Sequence, residues 1–157
     1  MKRVHVLNGP NLGRLEWRDS AQYGDLTLAE IESLVRARAE TVGIELTWFQ
    51  SDHEGALIEA IHAAIDAGAS IVINPGALTH YSYALADALA MAESTVVEVH
   101  LSNIHAREDW RRTSVVAPAV TGSVAGFGPI GYVLAIEAIA QIAAGSAPGD
   151  QGPDHSA

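Results

Sequence analysis

The chain has 157 residues, with 9 basic against 19 acidic side chains and a formal net charge of −10. That length suits one domain with a full core, and that charge argues against nucleic acid or anionic membrane surfaces as partners. Cysteine is absent, so disulfides, thiolate catalysis and Cys-based metal sites are excluded.

Residues 3–7 read as a first strand, and Asn8-Gly9-Pro10-Asn11-Leu12 follows it at once. A long loop, 8–26, contains Arg18 and Tyr23. Thr27-Leu28-Ala29-Glu30 is a capping box. After it Leu28, Ile31, Leu34, Val35, Ala39 and Val42 recur at helical spacing, and Gly43 suits the position after a helix end. Residues 44–50 alternate Ile44, Leu46 and Trp48 with Glu45 and Thr47, as a half-buried strand does. Leu57, Ile58, Ile61, Ala64 and Ile65 mark a second helix ending near Gly68. A fully apolar third strand, 70–73, leads into Asn74-Pro75-Gly76 and on to His80. A short helix at 83–92 precedes a fourth strand, 95–100. A fifth strand at 120–125 and a last helix from 131 to about 144 complete the series. Gly126-Phe127-Gly128-Pro129-Ile130-Gly131 lacks the Lys-Ser/Thr of a phosphate loop and reads as a tight turn. Residues 145–157 are rich in Gly, Pro, Ser and Asp and read as a disordered tail, which leaves 1–144 as a single domain.

Five βα units predict an α/β fold. Its parallel sheet carries helices on both faces and follows the doubly wound order 2-1-3-4-5. Ligands bind such sheets outside the carboxyl ends of the strands, at the switch point between strands one and three. Asn8–Asn11 and Asn74–His80 follow those two strands. Arg14, Arg18, Arg107, Arg111 and Arg112 lie in or after the crevice loops, so a small anion is the expected ligand. The only lysine, Lys2, is at the start of strand one, which disfavours Schiff-base chemistry in the crevice. No segment resembles a signal peptide or is long enough to span a membrane, so a cytoplasmic location is expected.

Strand four carries the sharpest chemical signal. Glu98 and His100 share one face of it, and a carboxylate two residues from a His orients the ring as a general acid or base. The pair alone also fits a satisfied core histidine, and His80, His100 and His105 leave a metal reading open without matching a standard zinc spacing. A loop as long as 8–26 is usually functional or disordered. Within it, Arg18 beside Tyr23 makes a base that forms when a lid closes, or Tyr23 simply packs at a turn.

Five segments in unbroken order carry a resemblance: Asn8-Gly-Pro-Asn-Leu12; Arg18 with Tyr23-Gly24; Gln50-Ser-Asp-His-Glu-Gly55; Asn74-Pro-Gly-Ala-Leu-Thr-His80; and Glu98-Val-His-Leu-Ser-Asn-Ile-His-Ala-Arg-Glu108. Together, over about residues 4–140, the chain resembles type II 3-dehydroquinate dehydratase. The resemblance implies a flavodoxin-like fold and a cofactor-free anti elimination of water from 3-dehydroquinate. It implies Tyr23 as base, Arg18 as support for its phenolate, and Asn11 as enolate stabiliser through a water. It further implies His100, oriented by Glu98, as acid. Leu101 and Ser102 would hold the substrate carboxylate through backbone N–H groups, and Asn74, His80 and Arg111 its hydroxyls. A dodecamer of four trimers is implied too, with Asp87 reaching a neighbouring site. Glu16, Ser20 and Ala86 depart from the family's usual Gly, Pro and Arg. On those departures rests an alternative reading, a binding or regulatory relative whose loop no longer closes. A flavin binder is a third reading, disfavoured because no Ser/Thr-rich loop follows strand one.

Overall fold

The computed structural model describes residues 1–145, and the expectation for the tail lies outside them apart from Gly145. The elements are β1 (Lys2–Asn8), α1 (Ser20–Tyr23), α2 (Leu28–Thr41), β2 (Ile44–Gln50), α3 (Glu54–Asp66), β3 (Ser70–Asn74), α4 (Tyr83–Ala90), β4 (Val96–His100), β5 (Gly122–Ala125) and α5 (Ile130–Ala143). All strand pairs are parallel, in the order β2-β1-β3-β4-β5, as the alternation of strand and helix signals predicts.

Side-chain parity along the strands divides the core in two. Val4, Val6, Val72, Val97 and Val99 face α2 and α5, where Ile31, Val35, Tyr132, Ile136 and Ile139 meet them. Leu7, Ile71, Ile73 and Val96 face α3 and α4, against Leu57, Ile61, Leu85 and Leu89. The Thr27 hydroxyl accepts from the Glu30 N–H while the Glu30 carboxylate accepts from the Thr27 N–H, so the capping box forms as read. Leu34, placed by its spacing on the apolar stripe, is instead exposed.

The segment 8–26 is not the irregular loop its polar content suggested. It holds a 3₁₀ turn at Leu12–Trp17 and the single-turn helix α1. Leu12, Leu15 and Tyr23 are buried in the α2/α5 core. Three apolar groups, spaced through a Gly- and Arg-rich stretch, tie the segment down although they are too few to make a periodic pattern. Three further 3₁₀ turns, at Ile104–Ala106, Asp109–Arg112 and Ala117–Ala119, lie in the unassigned stretch between β4 and β5.

β1 and β3 pair to their last residues, Asn8 opposite Asn74. The loops that follow then touch: the Gly9 N–H donates to the Asn74 carbonyl at 2.8 Å. A Cβ on Gly9 would lie 2.5 Å from the Pro75 carbonyl oxygen. Glycine is needed here for close approach. Gly9→Ala should therefore cost about 1–3 kcal/mol of stability through overpacking, read as a fall in the urea midpoint at unchanged slope. An unchanged midpoint would show that the contact yields freely.

Candidate active site

At the carboxyl ends of β1, β3 and β4 lies a partly open recess. Arg18 and Tyr23 from the 8–26 segment, Asn74 at the end of β3 and His80 after it, and His100 at the end of β4 with Leu101, Ser102, Arg107 and Arg111 after it line the recess. The two-strand switch point and the motif-bearing loops therefore coincide, as the strand order predicts.

His100 is backed by a buried carboxylate of β4. Glu98 is 1% exposed, and a buried carboxylate is tolerable only when its lone pairs are satisfied. His100 Nε2 lies 2.6 Å from its Oε1. Thr79 and Ser114 donate hydroxyl hydrogen bonds to it, with Ser114 2.9 Å from Oε1 and 3.1 Å from Oε2. Burial pushes the Glu98 carboxyl up, but the bonds from His100, Thr79 and Ser114 outweigh this and hold it below the ordinary value. His100 thus has one ring nitrogen tied to a carboxylate, which leaves Nδ1 for a reacting group.

Tyr23 is 8% exposed. The Arg18 guanidinium donates to its phenolic oxygen and also lies over its ring, 3.6 Å from the centroid. Arg107 stands 5.1 Å from the same centroid and donates to the Ser102 hydroxyl at 3.2 Å. A guanidinium has only donors, so the Tyr23 oxygen accepts here. Burial pulls the Arg18 guanidinium below its ordinary value; Tyr23 opposes this, while Arg107 and Arg111 add to it. Three guanidiniums crowd one recess. Arg111 and Arg107 share the single exposed carboxylate of Glu108, at 2.5 and 3.9 Å. Such a field favours a bound anion.

His80 Nδ1 lies 2.8 Å from the Thr113 carbonyl, so that nitrogen carries the hydrogen and Nε2 the lone pair. Burial, set against this carbonyl bond and assisted by His100 and Arg111, holds His80 below the ordinary histidine value. The ring is therefore neutral at neutral pH and can accept a hydrogen bond from a ligand. The N–H groups of Leu101 and Ser102 donate to no other group among the described residues, which leaves them free for a ligand oxygen.

The remaining expected site residues lie outside the lining. Asn11 is exposed at the rim in a left-handed conformation, φ 68°, which Asn tolerates better than most residues. Its N–H donates to Asp52 at 2.9 Å. Gln50 donates to the same Asp52 oxygen at 3.1 Å and to the Gly9 carbonyl at 3.3 Å. Asp87 is on α4, away from this recess. Of the five arginines expected at the crevice, Arg14 instead stacks on Trp17 and Arg112 pairs with Asp109. Among the described residues no group of three or more His, Asp or Glu is placed to hold a metal, and no helix is long and apolar enough to cross a membrane.

Glu16 is exposed, Ser20 opens α1 under the Asp19 cap, and Ala86 packs against the α3/α4 core. None of the three displaces Tyr23 from the recess. Sequence reasoning did not single out Thr79, Ser114 or Tyr132 as partners of the site. The one usable signal was Tyr132, since a tyrosine at a core position of an apolar helix needs a hydroxyl partner.

The depressed Glu98 carboxyl has a consequence in acid. Its ionised form contributes stability that is full above the unfolded value of 4.5 and is lost as pH falls through the lower folded value. Stability measured by urea unfolding should fall below about pH 4.5, and Glu98→Gln should flatten that limb. An acid limb of equal slope in Glu98→Gln would assign it to other carboxylates.

Known proteins resemble this chain in both sequence and fold. The family model for dehydroquinase class II matches residues 2–140. The 3-dehydroquinate dehydratase of Bacillus cereus (strain AH187) is 52% identical over 139 residues, covering 88% of this chain and 95% of its own. That of Bacillus anthracis (strain CDC 684 / NRRL 3495) is 51% identical with the same coverage. The crystal structure of type II dehydroquinase from Propionibacterium acnes is similar with a TM-score of 0.87 and 42% identity, covering 90% of this chain and 97% of that one. The enzyme from Butyrivibrio crossotus DSM 2876 gives 0.86 and 41%, covering 88% and 97%. With the family model spanning nearly all the described residues, the chain belongs to the class II dehydroquinase family.

Proposed function

We propose that the protein is a hydro-lyase that removes water from 3-dehydroquinate, by anti elimination through an enolate and without a cofactor, to give 3-dehydroshikimate. One observation carries the reading. A phenol held by a guanidinium and an imidazole held by a buried carboxylate line the same arginine-rich recess. The relatives' names support the substrate.

Tyr23, as the phenolate that Arg18 stabilises, takes the proton from the carbon beside the ketone. The electron pair moves onto the ketone oxygen as an enolate. Asn11 stabilises that oxygen through an ordered water. The enolate then expels the hydroxyl group, and His100 protonates it so that it leaves as water. Glu98 orients the ring for that donation. Tyr23 ends with a proton and His100 without one, and exchange with solvent restores both. Leu101 and Ser102 hold the substrate carboxylate through their free N–H groups, while Asn74, His80 and Arg111 bind its hydroxyls. Acid and base steps of this kind each contribute about 10²–10⁴-fold, or roughly 3–5 kcal/mol.

The reading includes a homododecamer of four trimers in which Asp87 serves a neighbouring subunit's site. It also includes a cytoplasmic location, in the shikimate route or in quinate breakdown.

The product is a conjugated enone carboxylate and the substrate is not, so ultraviolet absorbance follows turnover directly. Added 3-dehydroquinate should raise the signal with the unaltered protein. Tyr23→Phe should lose about 10²–10⁴-fold in kcat with a native circular dichroism spectrum. His100→Ala should lower kcat by a similar factor with KM changed only a few-fold. Near-native turnover in Tyr23→Phe would remove the base from this scheme, and a His100→Ala effect confined to KM would remove the acid. Binding without turnover by the unaltered protein would favour a ligand-binding relative.

A further inference from the structure

Among the described residues, the elimination leaves the buried phenol of Tyr132 unused. Tyr132 of α5 is fully buried, at 0% exposure. Burial pushes its phenol well above the ordinary tyrosine value, against the bond from Asn74, so it is a neutral hydroxyl at any working pH.

Its hydroxyl is the middle of a continuous chain of hydrogen bonds. Asn8 Nδ2 donates to the Phe49 carbonyl at 3.2 Å. The Tyr132 hydroxyl donates to Asn8 Oδ1 at 2.6 Å and accepts from Asn74 Nδ2 at 3.0 Å. Asn74 Oδ1 accepts from the Gly76 N–H at 3.1 Å. A backbone carbonyl only accepts and a backbone N–H only donates. The two ends of the chain therefore have fixed polarity, and both demand the same direction at every link. Turning either amide over would set two donors, or two acceptors, against each other at one end.

We propose that Tyr132 is a positioning residue for the reaction: it holds the Asn74 amide in the one orientation that offers a substrate hydroxyl an N–H donor. Asn74 lines the recess and, with one Nδ2 hydrogen spent on Tyr132, has one left. His80, on the same loop, offers the opposite polarity through its Nε2 lone pair. A group that can both accept from Asn74 and donate to His80 fits this pair, and a hydroxyl is such a group where a ketone or an ether is not. The inference rests on the hydroxyl-binding roles assigned above to Asn74 and His80, and adds what sets the direction of the first.

Tyr132→Phe keeps the ring and removes only the hydroxyl. It leaves Asn8 Oδ1 and Asn74 Nδ2 without their buried partner. At a temperature where the variant is fully folded, KM for 3-dehydroquinate should rise roughly tenfold with kcat within about twofold. In nitrogen-15 spectra, the Asn74 side-chain amide should lose its protection from solvent exchange. Ile139→Val serves as the control for a purely structural effect. It lies fully buried on the same helix, and should lower the melting temperature with KM unchanged. A Tyr132→Phe protein that melts lower with an unchanged KM would overturn the proposal. So would an Asn74 amide that stays protected in that variant. The amide signal needs no turnover, so it tests Tyr132 even if the unaltered protein fails to dehydrate 3-dehydroquinate, an outcome that would count against the proposed reaction alone.

Discussion

A carboxylate placed in the middle of a sheet dictates much of what surrounds it. Glu98 belongs to β4, one of the inner strands, and has almost no access to water. Unpaired, its charge would cost several kcal/mol. The loop after β3 must therefore bring Thr79, and the stretch after β4 must bring Ser114, to its oxygens. Ser114 then also accepts the Ala117 N–H at 3.0 Å, so the same hydroxyl starts the 3₁₀ turn that follows. The wall of the recess is in this sense a consequence of satisfying one acid. His100 is the partner left with a free nitrogen.

The two faces of the sheet each send one polar network to its carboxyl end. On the α3/α4 side the Glu98 cluster orients His100. On the α2/α5 side Tyr132 ties Asn8 to Asn74 across the β1–β3 pair. Parity along the strands keeps the networks apart until their ends, where Gly9 lets the two asparagine loops meet. Helices far from the chemistry thus set the directions of groups in the recess. The 8–26 segment is held in a different manner, by Leu12, Leu15 and Tyr23 sinking into the core and by Arg18 on the phenol. It has fewer buried anchors than the sheet.

Much of this was legible from the chain alone. Period-two and period-3.6 patterns gave the strands, most helices and their order. The polar clusters Asn8–Asn11, Asn74–His80 and Glu98–Arg107 stood after strands, where such sheets bind ligands. The misreadings have physical causes. Leu12, Leu15 and Tyr23 were too few to register as a pattern, so an anchored segment looked like open loop. Leu34 sits at the edge of its helical stripe, and periodicity does not say how wide the covered face is. Arg14 and Arg112 are close in sequence to crevice residues but point to Trp17 and Asp109. The partners of Asn8 and Asn74 lie 124 and 58 residues away in sequence, a distance across which local patterning carries no information.

The buried asparagine at the head of the chain also bears on how the molecule ages. An Asn followed by Gly is the dipeptide most prone to spontaneous deamidation, because the bare glycine N–H readily attacks the side-chain amide and closes a succinimide ring. Asn8-Gly9 is such a pair. Here both ends of the Asn8 amide are engaged, by Tyr132 and by the Phe49 carbonyl, and the Gly9 N–H is held by the Asn74 carbonyl. The attacking nitrogen and its target are tied to different partners and shut away from the water that would open the ring. The fold thereby opposes a reaction to which the same dipeptide is open in an unfolded chain.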